Sequence, residues 1–85
     1  MIMSVISQKI DKDTSFTAPS DCVVSLRGKV GGTSSGVYIN NDISIISDFS
    51  GTFETKGIVL KKGDTIRVNG SSTILHVSGF TIDEG

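Results

Sequence analysis

The segment that decides the fold runs from Thr14 to Leu26, TSFTAPSDCVVSL, and it is answered downstream by Leu60 to Val68, LKKGDTIRV. Each half is a strand broken by a turn. In the first, the turn Ala18-Pro19-Ser20-Asp21 follows the short strand expected over Thr14–Thr17. Pro19 closes that strand because proline cannot donate to a sheet ladder. In the second, Lys61-Lys62-Gly63-Asp64 precedes a run that alternates strictly to Val68, with Ile66 and Val68 facing inward. The two turns read as corners at the same end of a small β-sandwich.

The rest of the chain supports strand and turn. Ile, Val and Thr are abundant while Ala, Leu, Glu and Gln are scarce. Branching at Cβ stiffens a side chain and suits a pleated surface. Cys22–Lys29 places Val24 and Leu26 on one face and Val23, Ser25 and Arg27 on the other. Val37–Ile39 and Asp42–Ile46 flank Asn40-Asn41, a pair that tolerates positive φ and so fits a two-residue hairpin turn. Gly31–Gly36 reads as a long hairpin tip or a loop between sheets. Thr52–Thr55 alternates, Gly57–Leu60 is a short apolar run, and Asn69-Gly70 signals a turn. Thr73–Ile82 is the longest strand expected, with Val77 and Phe80 in the core and a bulge at Gly79. No linker, low-complexity stretch or internal repeat interrupts the pattern. About seven to nine short, closely spaced strands make an all-β chain, a small antiparallel sandwich.

The amino terminus is less plain. Ile2, Ile6 and Ile10 recur at helical spacing, whereas Val5 and the β-branched content favour a strand. Residues 1–13 are read as an extended arm or edge strand, and 14–85 as one sandwich domain. The apolar side chains of Met1, Ile2, Met3, Val5 and Ile6 precede the polar turn Asp11-Lys12-Asp13 and have no obvious place in a compact core. They are the expected assembly residues, packing residues 1–8 on a neighbouring subunit or on the larger surface to which the protein docks, and adding little to the fold of their own chain.

Size makes partners plausible. The chain has 85 residues, one cysteine and one histidine. It can form no internal disulfide, and a zinc site with several histidines is excluded. A domain of this length buries a limited fraction of its surface, so partner chains are the expected supplement. The formal net charge is −1 with both signs mixed along the chain, which argues against a nucleic-acid partner. No apolar run approaches the roughly 20 residues that cross a bilayer, and the first residues lack a basic lead, so synthesis in a cytoplasm is expected.

Candidate chemistry is sparse. His76 lies between Leu75 and Val77 with no nucleophile or carboxylate motif, and reads as a strand histidine at solvent or an interface. Cys22 follows Asp21, an acidic setting that opposes a reactive thiolate, and reads as a buried apolar filler. Asp11-Lys12-Asp13 and Asn40-Asn41-Asp42 offer oxygens but match no calcium loop, so turn chemistry is expected. Lys61-Lys62-Gly63-Asp64 lacks the glycine run and following helix of a phosphate loop. No carboxylate pair stands out for glycoside hydrolysis. No enzyme and no cofactor are expected.

The two corners also carry a resemblance. Phe16-Thr17-Ala18-Pro19-Ser20-Asp21-Cys22-Val23-Val24, Val37-Tyr38-Ile39-Asn40-Asn41 and Leu60-Lys61-Lys62-Gly63-Asp64-Thr65-Ile66 resemble phrases of the small jelly-roll-like domains of tailed-bacteriophage fibres and related virion proteins. Similar corners recur in trimeric sandwich domains of the complement and tumour-necrosis-factor type. The resemblance spans roughly residues 14 to 82. Cys22 stands where the phrase usually has glycine, and no heptad stalk is present. It implies a jelly-roll-like sandwich in a virion structural protein, made in the host bacterial cytoplasm. Such a protein would be a capsid-decoration or tail-fibre-type module, docking on capsid or tail proteins as a homotrimer and without membrane insertion. The alternative is a carbohydrate-binding sandwich recognising a host surface glycan, stacking sugar on Tyr38 and one or two Phe residues.

Overall fold

The computed structural model describes residues 3–82. Eight strands follow one another: β1 Val5–Asp11, β2 Phe16–Thr17, β3 Cys22–Val30, β4 Gly36–Ile39, β5 Ile43–Ser47, β6 Gly51–Leu60, β7 Thr65–Asn69 and β8 Ile74–Thr81. They form two four-stranded sheets, ordered β1-β8-β3-β6 and β2-β7-β4-β5. The pairing has a simple logic. β1 pairs with β8, β2 with β7, β3 with β6 and β4 with β5, all antiparallel. The chain is thus a long hairpin rolled up until β8 also meets β3 and β7 also meets β4. That is the jelly-roll winding of an all-β sandwich.

The core lies between the sheets and follows the alternation. One sheet contributes Ile6, Ile10, Cys22, Val24, Leu26, Val30, Leu60, Leu75 and Val77; the other contributes Phe16, Val37, Ile66 and Val68. Two bulges adjust this pattern. On β5, Ile46 pairs with Val37 and Ser44 with Tyr38, so Ile45 is an extra residue and both isoleucines pack against the core. On β6, Ile58 pairs with Val24 and Thr55 with Leu26, leaving Lys56 and Gly57 opposite Ser25 alone. Gly57 has φ +70°, which glycine adopts without a Cβ penalty.

Several expectations are corrected. The bulge falls at Gly57 and not at Gly79, whose strand keeps regular register on both sides. Gly79 serves close approach instead: a Cβ there would collide with the Val23 carbonyl and the Val24 backbone. Phe80 is 45 % exposed and outside the core. Val77 and Phe80 are three residues apart, an odd spacing, and a strand turns odd-spaced residues to opposite faces. The inward places after Val77 go to Gly79 and Thr81.

At the amino terminus the edge strand is what forms, with β1 at the rim of its sheet, and the expectation that this segment adds little to the fold of its own chain is corrected. β1 is integral to its own sheet, pairing with β8 from Val5↔Phe80 to Asp11↔Ile74. Ile6 and Ile10 are buried in its own core. Their spacing of four suits a helix, but four is also even, so a strand puts both on one face. Met3 and Val5 face outward, and Met1 and Ile2 lie outside the described residues. The glycine-rich Gly31–Gly36 segment is the loop that carries the chain from one sheet to the other.

Candidate functional site

The two corners do meet at one end of the sandwich. The Ala18 amide donates to the Asp64 carbonyl at 2.8 Å and the Gly63 amide to the Ala18 carbonyl at 2.9 Å. The Lys62 amide donates to the Asp21 carboxylate at 3.0 Å, and the Lys61 amide to the Asp64 carboxylate at 2.8 Å. Asn40 joins them: its Nδ2 donates to Asp64 and its Oδ1 accepts from the Thr65 amide. The Asp64 carboxyl is held below its ordinary value, first by the Lys61 amide and then by Asn40, with the Lys61 charge adding. These polar groups are spent on the turns themselves. Asp11 likewise accepts from the Asp13 amide, and Asn41 from the Arg67 guanidinium.

The other singled-out residues are scattered. Cys22 is fully buried, and burial, then Asp21 and Asp64, push its thiol pKa up. His76 is exposed on β8, its Nε2 2.8 Å from the Ser7 hydroxyl. Among the described residues, no three His, Cys, Asp or Glu side chains gather where a metal could be held. The aromatic residues share no surface. Phe16 is buried, Phe49 and Phe53 pack partly buried against the core, and the Arg67 guanidinium stands 4.7 Å over the Tyr38 ring. Phe80 lies on the opposite sheet from Tyr38.

The two outer faces differ. Beyond the β2-β7-β4-β5 sheet, β4 and β7 turn Tyr38, Thr65, Arg67 and Asn69 outward, between the inward-facing Val37, Ile66 and Val68. The β1-β8-β3-β6 sheet instead carries an apolar row. Val5 pairs with Phe80, Phe80 with Val23, and Val23 with Val59, so four apolar side chains stand abreast across all four strands. Val5 is 86 % and Val59 72 % exposed. Exposed Met3 and Ile82 lie at the same end, where the Thr81 amide donates to the Ser4 carbonyl at 2.8 Å. Sequence reasoning found the Val5 end of this row; Val23, Val59 and Phe80 became visible only with the register. No family model, curated protein or solved structure matches the chain.

Proposed function

We propose that the chain is a non-enzymatic structural module of a tailed-phage virion, docking on capsid or tail and associating as a homotrimer. One observation carries the assembly part: the core is filled by inward-facing residues, and Val5, Phe80, Val23 and Val59 still form an outward-facing row across one whole sheet, exposed at Val5, Phe80 and Val59 and half-buried at Val23. An ordered apolar row that folding does not use is the kind of surface that partners cover. Met3 and Val5, two of the arm residues expected to serve assembly, stand at its β1 edge; Ile6 belongs to the core. The edges differ too. β6 is broken by the Lys56–Gly57 bulge, a device that discourages strand addition, while β1 pairs residue for residue along its length.

The phage assignment draws on the three sequence phrases and on the jelly-roll winding, which is common among capsid proteins but hosts other functions as well. The test combines light scattering of the isolated chain with mass spectrometry of phage particles purified from cells that express the chain from its native gene. A mass of three chains and the chain's peptides among the virion proteins are expected. Particles that lack the chain overturn the virion reading, and a monomer at tens of micromolar overturns the trimer.

A further inference from the structure

Further along the same outer face the rows become charged. Lys9, His76, Arg27 and Glu54 stand abreast, and two residues on so do Asp11, Ile74, Lys29 and Thr52. Rows two residues apart are separated by about 6.7 Å. Between them lie Leu75, Gly28 and Phe53, of which Leu75 and Phe53 turn inward to the core and Gly28 has no side chain. The outer side there is bare backbone, and the flanking side chains make the walls of a trough.

The trough is a succession of shallow depressions. One of about 370 Å³ is walled by Lys9, Arg27, His76 and Ile74, with Gly28 and Leu75 as floor. The next lies between Arg27, Lys29, Thr52 and Glu54, and a third continues past Lys29 to Gly51 and Ser72. Arg27 therefore borders two depressions and Lys29 borders two. Glu54, opposite Arg27, is the acid on these walls among the described residues, and the Asp11 carboxylate, which accepts from the Asp13 amide and keeps its charge, stands at the rim. Among the described residues the ion pair within 4.0 Å is Lys12–Asp13, so none of Lys9, Arg27 and Lys29 is closed off by a direct carboxylate contact.

We infer that this trough binds a linear acidic saccharide. Its carboxylate or sulfate groups meet Lys9, Arg27 and Lys29 in succession, its hydroxyls meet Thr52 and Ser72, and exposed Ile74 faces the C–H side of a sugar ring. A chain ligand follows from cations shared between adjoining depressions, each set to hold one anion of a repeating series. An acidic peptide fits less well. Extended peptides add to sheet edges, where backbone groups are free, and β3 and β8 beneath the trough are already paired on both sides. A nucleic-acid strand would need ring faces for its bases, and Phe53 is packed against the core. The site does not depend on the virion reading and uses a different part of the face from the apolar row.

The test is an NMR titration of isotopically labelled full chain at low salt with four probes: heparin hexasaccharide, hyaluronan hexasaccharide, maltohexaose and hexaglutamate. Saturable shifts at the Arg27, Gly28, Lys29 and His76 amides with an acidic saccharide are expected. Response to heparin alone assigns sulfate, and response to hyaluronan assigns carboxylate as sufficient. The variant Lys9→Glu/Lys29→Glu, altered only at exposed positions, should keep its dispersed spectrum and bind roughly tenfold more weakly, and added salt should weaken the wild type. Maltohexaose binding as tightly as the acidic saccharides overturns the role of charge. Hexaglutamate binding as tightly overturns the saccharide assignment, and no saturable shift with either acidic saccharide removes the site.

Discussion

The Lys62 amide donates to the Asp21 carboxylate at 3.0 Å across 41 positions of sequence. With the backbone bonds of Ala18 to Gly63 and Asp64, this bond ties the turn that leads into β3 to the turn that leads into β7 at one end of the sandwich. Asp21→Ala removes the acceptor without touching the core. A loss of about 1 kcal/mol is expected in urea unfolding, with the circular-dichroism spectrum unchanged. A variant as stable as the parent would show that the backbone bonds at Ala18 suffice.

Asp64 gives this corner a pH dependence. Its folded pKa lies below the ordinary 3.8, so its contribution to stability is complete above that value and fades as pH falls through the folded one. Thermal unfolding between about pH 5 and pH 2 should therefore show a steeper decline for the parent than for Asp64→Ala. Parallel curves would mean that the carboxylate is not felt by the fold.

Thr73 is a buried hydroxyl joining two loops. It accepts from the Gly31 amide at 3.0 Å and lies 3.1 Å from the Gly31 carbonyl and 2.9 Å from that of Asn69. Thr73→Val keeps the shape and strands the buried Gly31 amide. A cost of about 1–3 kcal/mol is expected by chemical denaturation, and Thr73→Ser should recover most of it.

Two glycines should respond differently to alanine. At Gly79 the new Cβ meets the β3 backbone, which cannot yield cheaply, so a loss of about 3 kcal/mol or failure to fold is expected. At Gly57 nothing lies within 4 Å and the strain of φ +70° remains, giving about 1 kcal/mol. Equal effects would contradict the close approach of β8 to β3.

The amino-terminal segment separates folding from assembly. Ile6→Ala should cost about 2–4 kcal/mol, because Ile6 is buried in its own core. Deleting Met1–Ser7 should do more, by uncovering the edge of β8. Val5→Ser/Val59→Ser should leave the melting temperature within a few degrees and weaken self-association in light scattering. If that variant still assembles at the same concentration, the apolar row is not the contact.

Much of the fold was legible because it depends on short-range rules. The alternation in Cys22–Lys29 and Asp64–Val68 placed Val24, Leu26, Ile66 and Val68 inward. Asn40 and Asn41, at φ +55° and +67°, turn the chain as their side chains favour, but Asp42 joins them, so the loop has three residues where two were expected. The two corner phrases marked the end where the sheets are joined. What the sequence could not decide depends on strand neighbours far apart along the chain. Whether Ile6 packs at home or on a partner follows from β8 being available to pair with β1. Phe80 was misplaced because apolar character says nothing about which face the register turns outward. The row Val5–Phe80–Val23–Val59 draws on four separate strands, and the basic trough on the same four. No local pattern relates their members, since each strand contributes one residue per row and only the winding of β1 onto β8, and of β3 between β8 and β6, sets them side by side.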